Sequence, residues 1–430
     1  MPIQTGPGGP KKKIAVIGAG ISGMGAARML ADDHNVVLFE AENRLGGHAR
    51  TRMAGARGDQ PVDTGFIVFN YANYPHLAAL FAELDVPVTP SNMSFGASVD
   101  GGRIEYGLAS FAAMFAQRRN LANPWFLRMM RDVLHFNSRA IRAADQDAMT
   151  IAGLLDKLGT GSWFRDYYLL PLSGAIWSTP TEKIMDFPAR AMVSFFENHA
   201  LLNYSGQHQW FTVQGGSQAY VSRLGASMQA RGVELRLGAP INAVRRGVLW
   251  AEVKAAGGDW ERFDEVVFAT HSDDTLRLLA DPSVQEKAVL GAIRYQPNDV
   301  VLHSDMSIMP KRRAVWSSWC YAEDRGKTDA RIDLTYWMNS LQSWLTADPM
   351  FVTLNTTRPI RQELIWDQVT LRHPVYDLAA FAAQAQAAAM NGTNRTWFCG
   401  AWMKNGFHED GLGSAVDVVM AMRSSLKLAA

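Results

Sequence analysis

Sulfur chemistry is nearly absent from this chain. Its 430 residues include two cysteines, Cys320 and Cys399. Two distant thiols exclude a disulfide framework and a cysteine-based metal cluster, and they suit a reducing compartment. The ten histidines never fall in the H-x-x-x-H or H-E-x-x-H spacing that puts two ligands on one helix face, so no metal is expected. No G-x-S-x-G elbow is present, which argues against a serine hydrolase of the α/β type. Charge is balanced, 42 basic against 41 acidic residues. That leaves no basic surplus for nucleic acid, and no such partner is expected. No apolar run approaches the roughly 20 residues of a membrane-spanning helix. The first ten residues are rich in Gly and Pro and lack an apolar h-region. They read as a disordered lead-in rather than a secretory signal.

Glycine, by contrast, is plentiful, with 36 residues, and three of them are spaced tellingly. The strand-like run Lys13-Ile14-Ala15-Val16-Ile17 leads into Gly18-Ala19-Gly20-Ile21-Ser22-Gly23. Met24 to Asp32 then reads as helix, and Val36 to Phe39 as a second buried strand ending in Glu40. These are the parts of a dinucleotide-binding βαβ unit. Gly18 allows the tight turn, Gly20 lets backbone approach a pyrophosphate, and Gly23 lets helix pack on strand. Ser22 lies in the first turn, where free N–H groups and the dipole favour phosphate. Glu40 falls roughly 20 residues past the turn, where a carboxylate accepts from ribose hydroxyls; Ala41 follows it in the same loop.

The next residues, Arg44-Leu45-Gly46-Gly47-His48-Ala49-Arg50-Thr51, favour FAD over NAD. An extended FAD continues past the first helix. Arg44 can neutralise phosphate there, and Gly46-Gly47 leaves room for the chain.

This pattern resembles the flavin-dependent amine oxidase and phytoene desaturase superfamily, whose second motif is R-x-G-G-[RK]. His48 stands where that family usually has a basic residue, which places an imidazole close to the flavin. The resemblance extends to Val62-Asp63-Thr64-Gly65, to Gln214-Gly215-Gly216-Ser217, and to Thr396–Trp402 followed by Gly411-Leu412-Gly413-Ser414-Ala415. It implies that Val244 contacts the adenine side and that Ala269 and Thr270 close near the FAD. It also implies that Gly400 and Ala401 lie by the ribityl phosphate. Gly413, Ser414 and Ala415 would open a helix, running to about Leu426, whose N–H groups face the flavin. Noncovalent FAD is expected, since neither cysteine stands in the context of a flavin-linked one.

The implied fold class is α/β: a Rossmann-like, glutathione-reductase-like FAD domain with an inserted α+β substrate domain. The FAD domain would be discontinuous, over 11–70, 210–275 and 390–426. The substrate domain would take 71–209 and 276–389. Residues 76–170 read as mostly helical, with helices over Leu108–Gln117, Trp125–Ala144 and Thr150–Leu158. Val300–His303, Ala314–Trp319, Asp333–Met338 and Phe351–Asn355 read as strands of an antiparallel sheet. Trp316, Trp319, Tyr336 and Trp337 there, with Met309 and Met338, are candidate pocket aromatics and apolars.

Within the superfamily, the segments Arg44–Thr51, Asp63–Asn70 and Phe407–Ala415 resemble a bacterial branch associated with cyclopropane, methyl and furan fatty acid synthesis. That implies a desaturase of methylated unsaturated acyl chains of membrane phospholipids, forming a conjugated diene, with a lipid methyltransferase as pathway partner. Arg118, Arg119, Arg128, Arg131, Arg139 and Arg142 interleave with Phe115, Trp125, Phe126, Leu134 and Phe136. This composition suits an anionic membrane surface, hence a cytoplasmic enzyme held peripherally at the inner membrane. An amphipathic pair with a solvated arginine face reads equally well. An amine oxidase and a polyene or carotenoid desaturase or isomerase remain alternatives, as does a flavin-binding assembly protein presenting lipid to a partner. His48, Tyr71, His408 and Glu409 are the candidates for handling a proton.

Overall fold

The computed structural model describes residues 11–146, 149–177, 184–199, 201–202, 208–326 and 332–429. The expected lead-in, 1–10, lies outside them. A five-stranded parallel sheet forms the nucleotide half. Its strand order is Glu234–Arg236, Asn35–Phe39, Lys13–Ile17, Glu265–Phe268, Thr396–Phe398. Parallel sheets bury both faces, so the inner strands Asn35–Phe39, Lys13–Ile17 and Glu265–Phe268 are almost continuously apolar, while the edge strand Glu234–Arg236 is not. Alternation then sorts the side chains. Ile14 and Val16 pack with the helices Ile21–Leu30, Gln218–Ala230 and His408–Ala429. Ala15 and Ile17 pack with the meander Ile241–Arg246, Ala251–Ala255, Trp260–Phe263 and with the helix Leu378–Met390.

The second half is built on a seven-stranded sheet. Its order is Ile365–Val375, Arg294–His303, Phe351–Leu354, Leu334–Trp337, Trp319–Ala322, Phe95–Val99, Ile104–Gly107. All pairs are antiparallel except Trp319–Ala322 with Phe95–Val99. One face of this sheet presents Val300, Leu302, Leu334, Val352, Leu354, Ala97 and Tyr106 to a helical layer that includes Pro124–Ala143 and Ala189–Asn198.

Several expected elements change. Residues 76–170 are mostly helical as expected, but they also hold the strands Val88–Ser91, Phe95–Val99 and Ile104–Gly107. The strand at 95–99 runs beside residues 319–322, a pairing that no local pattern reveals. A side chain at Gly96 would run into the Val315 carbonyl, so its glycine admits a neighbouring segment. That segment, Arg313–Val315, is a 3-10 turn, and the strand expected over Ala314–Trp319 begins only at Trp319. Leu108–Gln117 contains only the short helix Phe111–Met114, before a 3-10 turn at Arg118–Ala122. Pro124–Ala143 forms as expected: Asn123 accepts from the Trp125 and Phe126 N–H groups, and Pro124 occupies the first turn. Ile365–Val375, the longest strand among the described residues, goes unnamed in the sequence analysis.

Candidate active site

The glycine turn is built as its sequence demands. Gly18 has φ +100°, and its N–H donates to the Phe39 carbonyl at 2.8 Å. A side chain on Gly23 would overlap the Gly18 carbonyl oxygen, so helix and strand can meet only at glycine. Gly20 differs: no protein atom lies within 4 Å of where its Cβ would be. It caps the helix Ile21–Leu30 with no side-chain hydrogen bond. The second glycine pair closes onto this turn. Gly46 N–H donates to the Ala19 carbonyl at 2.8 Å, and a Cβ on Gly47 would sit 3.0 Å from Gly20 Cα. Uncapped helix N–H groups beside an open glycine cradle fit a pyrophosphate.

The charged residues brace this cradle. Glu40 accepts from the Ala19 N–H at 2.7 Å and the Glu42 N–H at 2.9 Å. Ala41 between them is exposed. Arg44, expected at a phosphate, donates to the Gly47 and Ala49 carbonyls at 2.8 and 3.2 Å and pairs with Glu42. It holds the second glycine loop in shape.

Asp63 is the other anchor. It is 1% exposed and accepts from Thr51 Oγ1, Ser217 N–H, Ser217 Oγ and Gln342 Nε2, at 2.6–3.0 Å. Burial pushes its carboxyl up to about 6, against these donors. The group ties the 51–63 hairpin, the helix Gln218–Ala230 and the seven-stranded half together.

At the other end, Gly400 N–H donates to Ser414 Oγ and Ser414 Oγ to the Gly411 carbonyl, both at 2.8 Å. The C-terminal helix starts at His408, not at Gly411. Gly413, Ser414 and Ala415 therefore lie past its first three residues, and its leading N–H groups belong to His408, Glu409 and Asp410. Ser22 Oγ sits where a Cβ on Gly411 would press, so this helix packs tightly on the first one. Ala269 N–H donates to the Ile17 carbonyl, and the Thr270 carbonyl accepts from Trp402 Nε1. Ala401 is half-buried beside them. Val244 is fully buried and its carbonyl accepts from Ala280 N–H at 2.8 Å.

Four histidines from remote segments converge next to this frame. The His48 ring lies 5.8 Å from His271 and 5.7 Å from His373. His408 stacks on Phe66 at 4.0 Å, and its Nε2 lies 2.5 Å from Tyr220 Oη. His271 stacks on Tyr295 at 4.3 Å. Burial lowers the pKa of all four, His373 and His408 to about 3. All four nevertheless keep some uncovered surface. His271 and His373 escape the sequence analysis. His271 directly follows Ala269-Thr270, and His373 ends an alternating run Asp367, Val369, Leu371, so both signals were available.

Two candidates separate from this group. Tyr71 is 54% exposed and its ring packs on Phe69 and Phe211. Glu409 accepts from the His76 and Leu77 N–H groups at 2.8 and 2.9 Å, so it caps the helix Pro75–Glu83. Asp410 beside it accepts from the Phe407 N–H at 2.9 Å, and burial pushes its carboxyl up to about 6. The pocket aromatics divide as strand alternation requires. Trp319 and Tyr336 meet edge-to-face at 5.3 Å on the inward face. Trp316 and Trp337 join Met309, Cys320 and Phe351 in a separate cluster, with Arg313 stacked over Trp316. Met338 is fully buried in the main core. Asp333 faces the Thr357 N–H and hydroxyl. Among the described residues, His271, Asp273 and Asp274 have metal-donor spacing, but the Arg372 guanidinium sits on both carboxylates.

The family model for flavin-containing amine oxidoreductases matches residues 21–304. The chain belongs to this family. It is accordingly an FAD-dependent oxidoreductase, with the amine oxidase fold: a nucleotide-binding α/β half carrying an inserted α+β half. Curated relatives match over short stretches. An N,N-dimethylglycine/sarcosine dehydrogenase of Chromohalobacter salexigens is 40% identical over 62 residues, 14% of this chain and 9% of that one. A coproporphyrinogen III oxidase of Mycobacterium bovis is 40% identical over 77 residues, 17% of this chain and 16% of that one. The matched stretches thus span under a fifth of these relatives' length. Solved structures match almost throughout. A CLA-producing fatty acid isomerase from P. acnes aligns with TM-score 0.69 at 14% identity, covering 95% of this chain and 98% of that one. A putrescine oxidase aligns with TM-score 0.68 at 15% identity, covering 96% and 99%.

Proposed function

We propose that this flavoenzyme dehydrogenates acyl chains of membrane phospholipids, methylated unsaturated chains in particular. The inward face of the seven-stranded sheet carries the reading. Trp319, Tyr336, Val369 and Leu371 are apolar, line that face and stay partly uncovered. Among the inward positions of these strands the one carboxylate is Asp367, and Arg50 and Arg52 pair with it. An apolar trough with no unpaired acid suits a hydrocarbon and offers a cationic amine little.

A second feature supports a lipid substrate. On the helix Pro124–Ala143, Leu127, Leu134 and Ile141 recur every seven residues and are 44%, 52% and 45% exposed. Arg128, Arg131, Arg139 and Arg142 are exposed alongside, and Trp125 is 56% exposed at the start. Phe126, Met129, Val133, Phe136 and Ala140 hold the opposite side in the core. Cations beside an exposed apolar stripe match an anionic bilayer surface. No helix among the described residues is long and apolar enough to cross a membrane, so the contact is peripheral. A solved structure of similar fold is, by its own name, an isomerase of fatty acids.

Bound FAD supplies the acceptor for the hydride. The Gly20–Gly47 cradle, Glu40 and the first helix would hold it, and the apolar inward face of the seven-stranded sheet would orient the C–H bond and exclude water. Cys399 is fully buried and burial pushes its thiol up to about 12, which favours a noncovalent cofactor. The Trp319–Tyr336 pair favours a second reading, an amine oxidase whose amine sits between two aromatics. Anaerobic mixing with a methylated unsaturated phospholipid should bleach the flavin absorbance and yield a product lacking two hydrogens. Bleaching by simple amines and not by the lipid would establish the second reading instead.

A further inference from the structure

The backbone fixes the protonation pattern of two of the four histidines. Asp299 N–H donates to Asn355 Oδ1 at 2.9 Å. A backbone N–H can only donate, so this bond orients the Asn355 amide. Its Nδ2 then donates to Asn298 Oδ1 at 2.6 Å. That turns Asn298 Nδ2 toward His373 Nδ1, 3.0 Å away. An amide nitrogen also only donates. His373 Nδ1 is therefore a lone pair, and the proton of the neutral ring sits on Nε2. His48 is set the opposite way. Its Nε2 is buried and has no hydrogen-bond partner. The Arg372 carbonyl bears on the same ring and favours a proton on the remaining nitrogen, Nδ1. A buried lone pair without a donor costs stability, and a structure that keeps one has a use for it.

We propose that His48 Nε2 is the base that takes the substrate proton, and that His373 is a positioning residue held beside it as a neutral donor. This rests on the dehydrogenation reading, though not on which chain is oxidised. One substrate carbon loses hydride, and those two electrons reduce the bound flavin. The C–H bond of the adjacent carbon breaks, its electron pair forms the new C=C bond, and its proton joins His48 Nε2. The substrate has then lost two hydrogens and His48 is an imidazolium. His373 cannot compete for that proton. Its lone pair is engaged by the Asn298 amide, and turning that amide would break the bond from Asn355. The positive ring thus forms at a single place, and Arg372 keeps the neighbouring Asp273 and Asp274 occupied.

Long-range ¹H–¹⁵N correlation spectra of histidine-labelled holoenzyme read the tautomers directly. His373 should carry its proton on Nε2 and His48 on Nδ1 at neutral pH. Asn298→Ala should convert His373 to a mixture and leave His48 unchanged. His48→Ala should slow anaerobic flavin reduction by about 10²–10⁴-fold at unchanged FAD content, and added imidazole should restore part of the rate. If His48→Ala loses FAD, His48→Gln, which keeps a polar side chain but no basic nitrogen, gives the same test. A proton on His373 Nδ1, or wild-type flavin reduction in an FAD-loaded His48 variant, overturns the proposal. The spectra need no substrate, so a phospholipid that fails to reduce the wild-type flavin overturns the lipid reading alone.

Discussion

Replacing Gly20 and Gly23 by alanine, one at a time, should separate the cofactor cradle from the fold that carries it. The two glycines are three residues apart in one turn, yet their surroundings differ. At Gly20 the backbone has φ −71° and ψ −178°, ordinary for any residue, and the space a methyl group would enter holds no protein atom. Gly20→Ala should therefore leave the apoprotein as stable as wild type, or stabilise it by about 0.4–1 kcal/mol through the less flexible unfolded chain. The same methyl group intrudes on the path of the pyrophosphate. FAD affinity should fall at least about tenfold, or about 1.4 kcal/mol. At Gly23 the methyl group would overlap the Gly18 carbonyl oxygen and press Ala269 Cβ at 3.1 Å. Neither neighbour can swing aside, because Gly18 is held by Phe39 and Ala269 by Ile17. Gly23→Ala should cost the apoprotein about 1–3 kcal/mol as overpacking. Urea unfolding of the apoproteins and flavin fluorescence titration measure the two quantities separately. A Gly20→Ala protein that binds FAD like wild type refutes the cradle. Equal destabilisation by both substitutions refutes the distinction between them.

Other expectations follow from the same geometry. Glu40→Ala should weaken FAD binding by roughly 1–3 kcal/mol, measured by the same titration; an unchanged affinity would assign Glu40 to loop bracing alone. Asp63→Asn should cost roughly 1–3 kcal/mol in urea unfolding, since its NH2 group would face donors, either those of Ser217 and Thr51 or Gln342 Nε2; a loss under about 0.5 kcal/mol would refute the anchor. Apoprotein stability should fall on acidification from about pH 6.5 to pH 5. His373 and His408, with native pKa about 3, stay neutral there while the unfolded chain takes up protons, at up to about 1.4 kcal/mol per pH unit each. His48 and His271 act in the same direction. Asp63 and Asp410, raised to about 6, bind protons in the native state and offset part of the loss, so a rise in stability would refute the buried-histidine assignment. Leu127→Glu with Leu134→Glu should lower co-sedimentation with anionic vesicles at least about tenfold at unchanged melting temperature. High salt should weaken wild-type binding in the same assay, and vesicle binding indifferent to both would remove the membrane face.

Legibility in the sequence follows from how each part is held. The turn from Gly18 to Glu40 can be read because all its constraints are local. A positive φ, a helix N-terminus and a strand end lie within one short stretch, and each demands a particular residue type. The strands Lys13–Ile17 and Asn35–Phe39 that flank this turn could be read from their apolar runs for the same reason. The strand Phe95–Val99 could not, since its small residues, Gly96 and Ser98, suit a pairing made more than two hundred residues away.

The histidine group makes the same point about function. His48 and His408 stand inside recognisable motifs, but His271 and His373 beside them, and the asparagine pair that meets His373, lie outside any motif. Register supplies that link: Gln296 pairs with His373, and Asn298 with Leu371 on the neighbouring strand. Asn355 reaches Asn298 from the next strand's end. Only the folded sheet puts two amides and an imidazole in line. Tyr71 shows the converse. It lies next to motif residues in sequence, yet the strand before it, Val68–Phe69, pairs with Trp210–Val213, and its half-exposed ring packs on Phe211. Closeness to a motif in sequence is thus weak evidence of a chemical role. A polar side chain whose hydrogen-bonding state is dictated by the backbone, as the Asp299 N–H dictates that of His373, is stronger evidence, because no substrate is needed to see it.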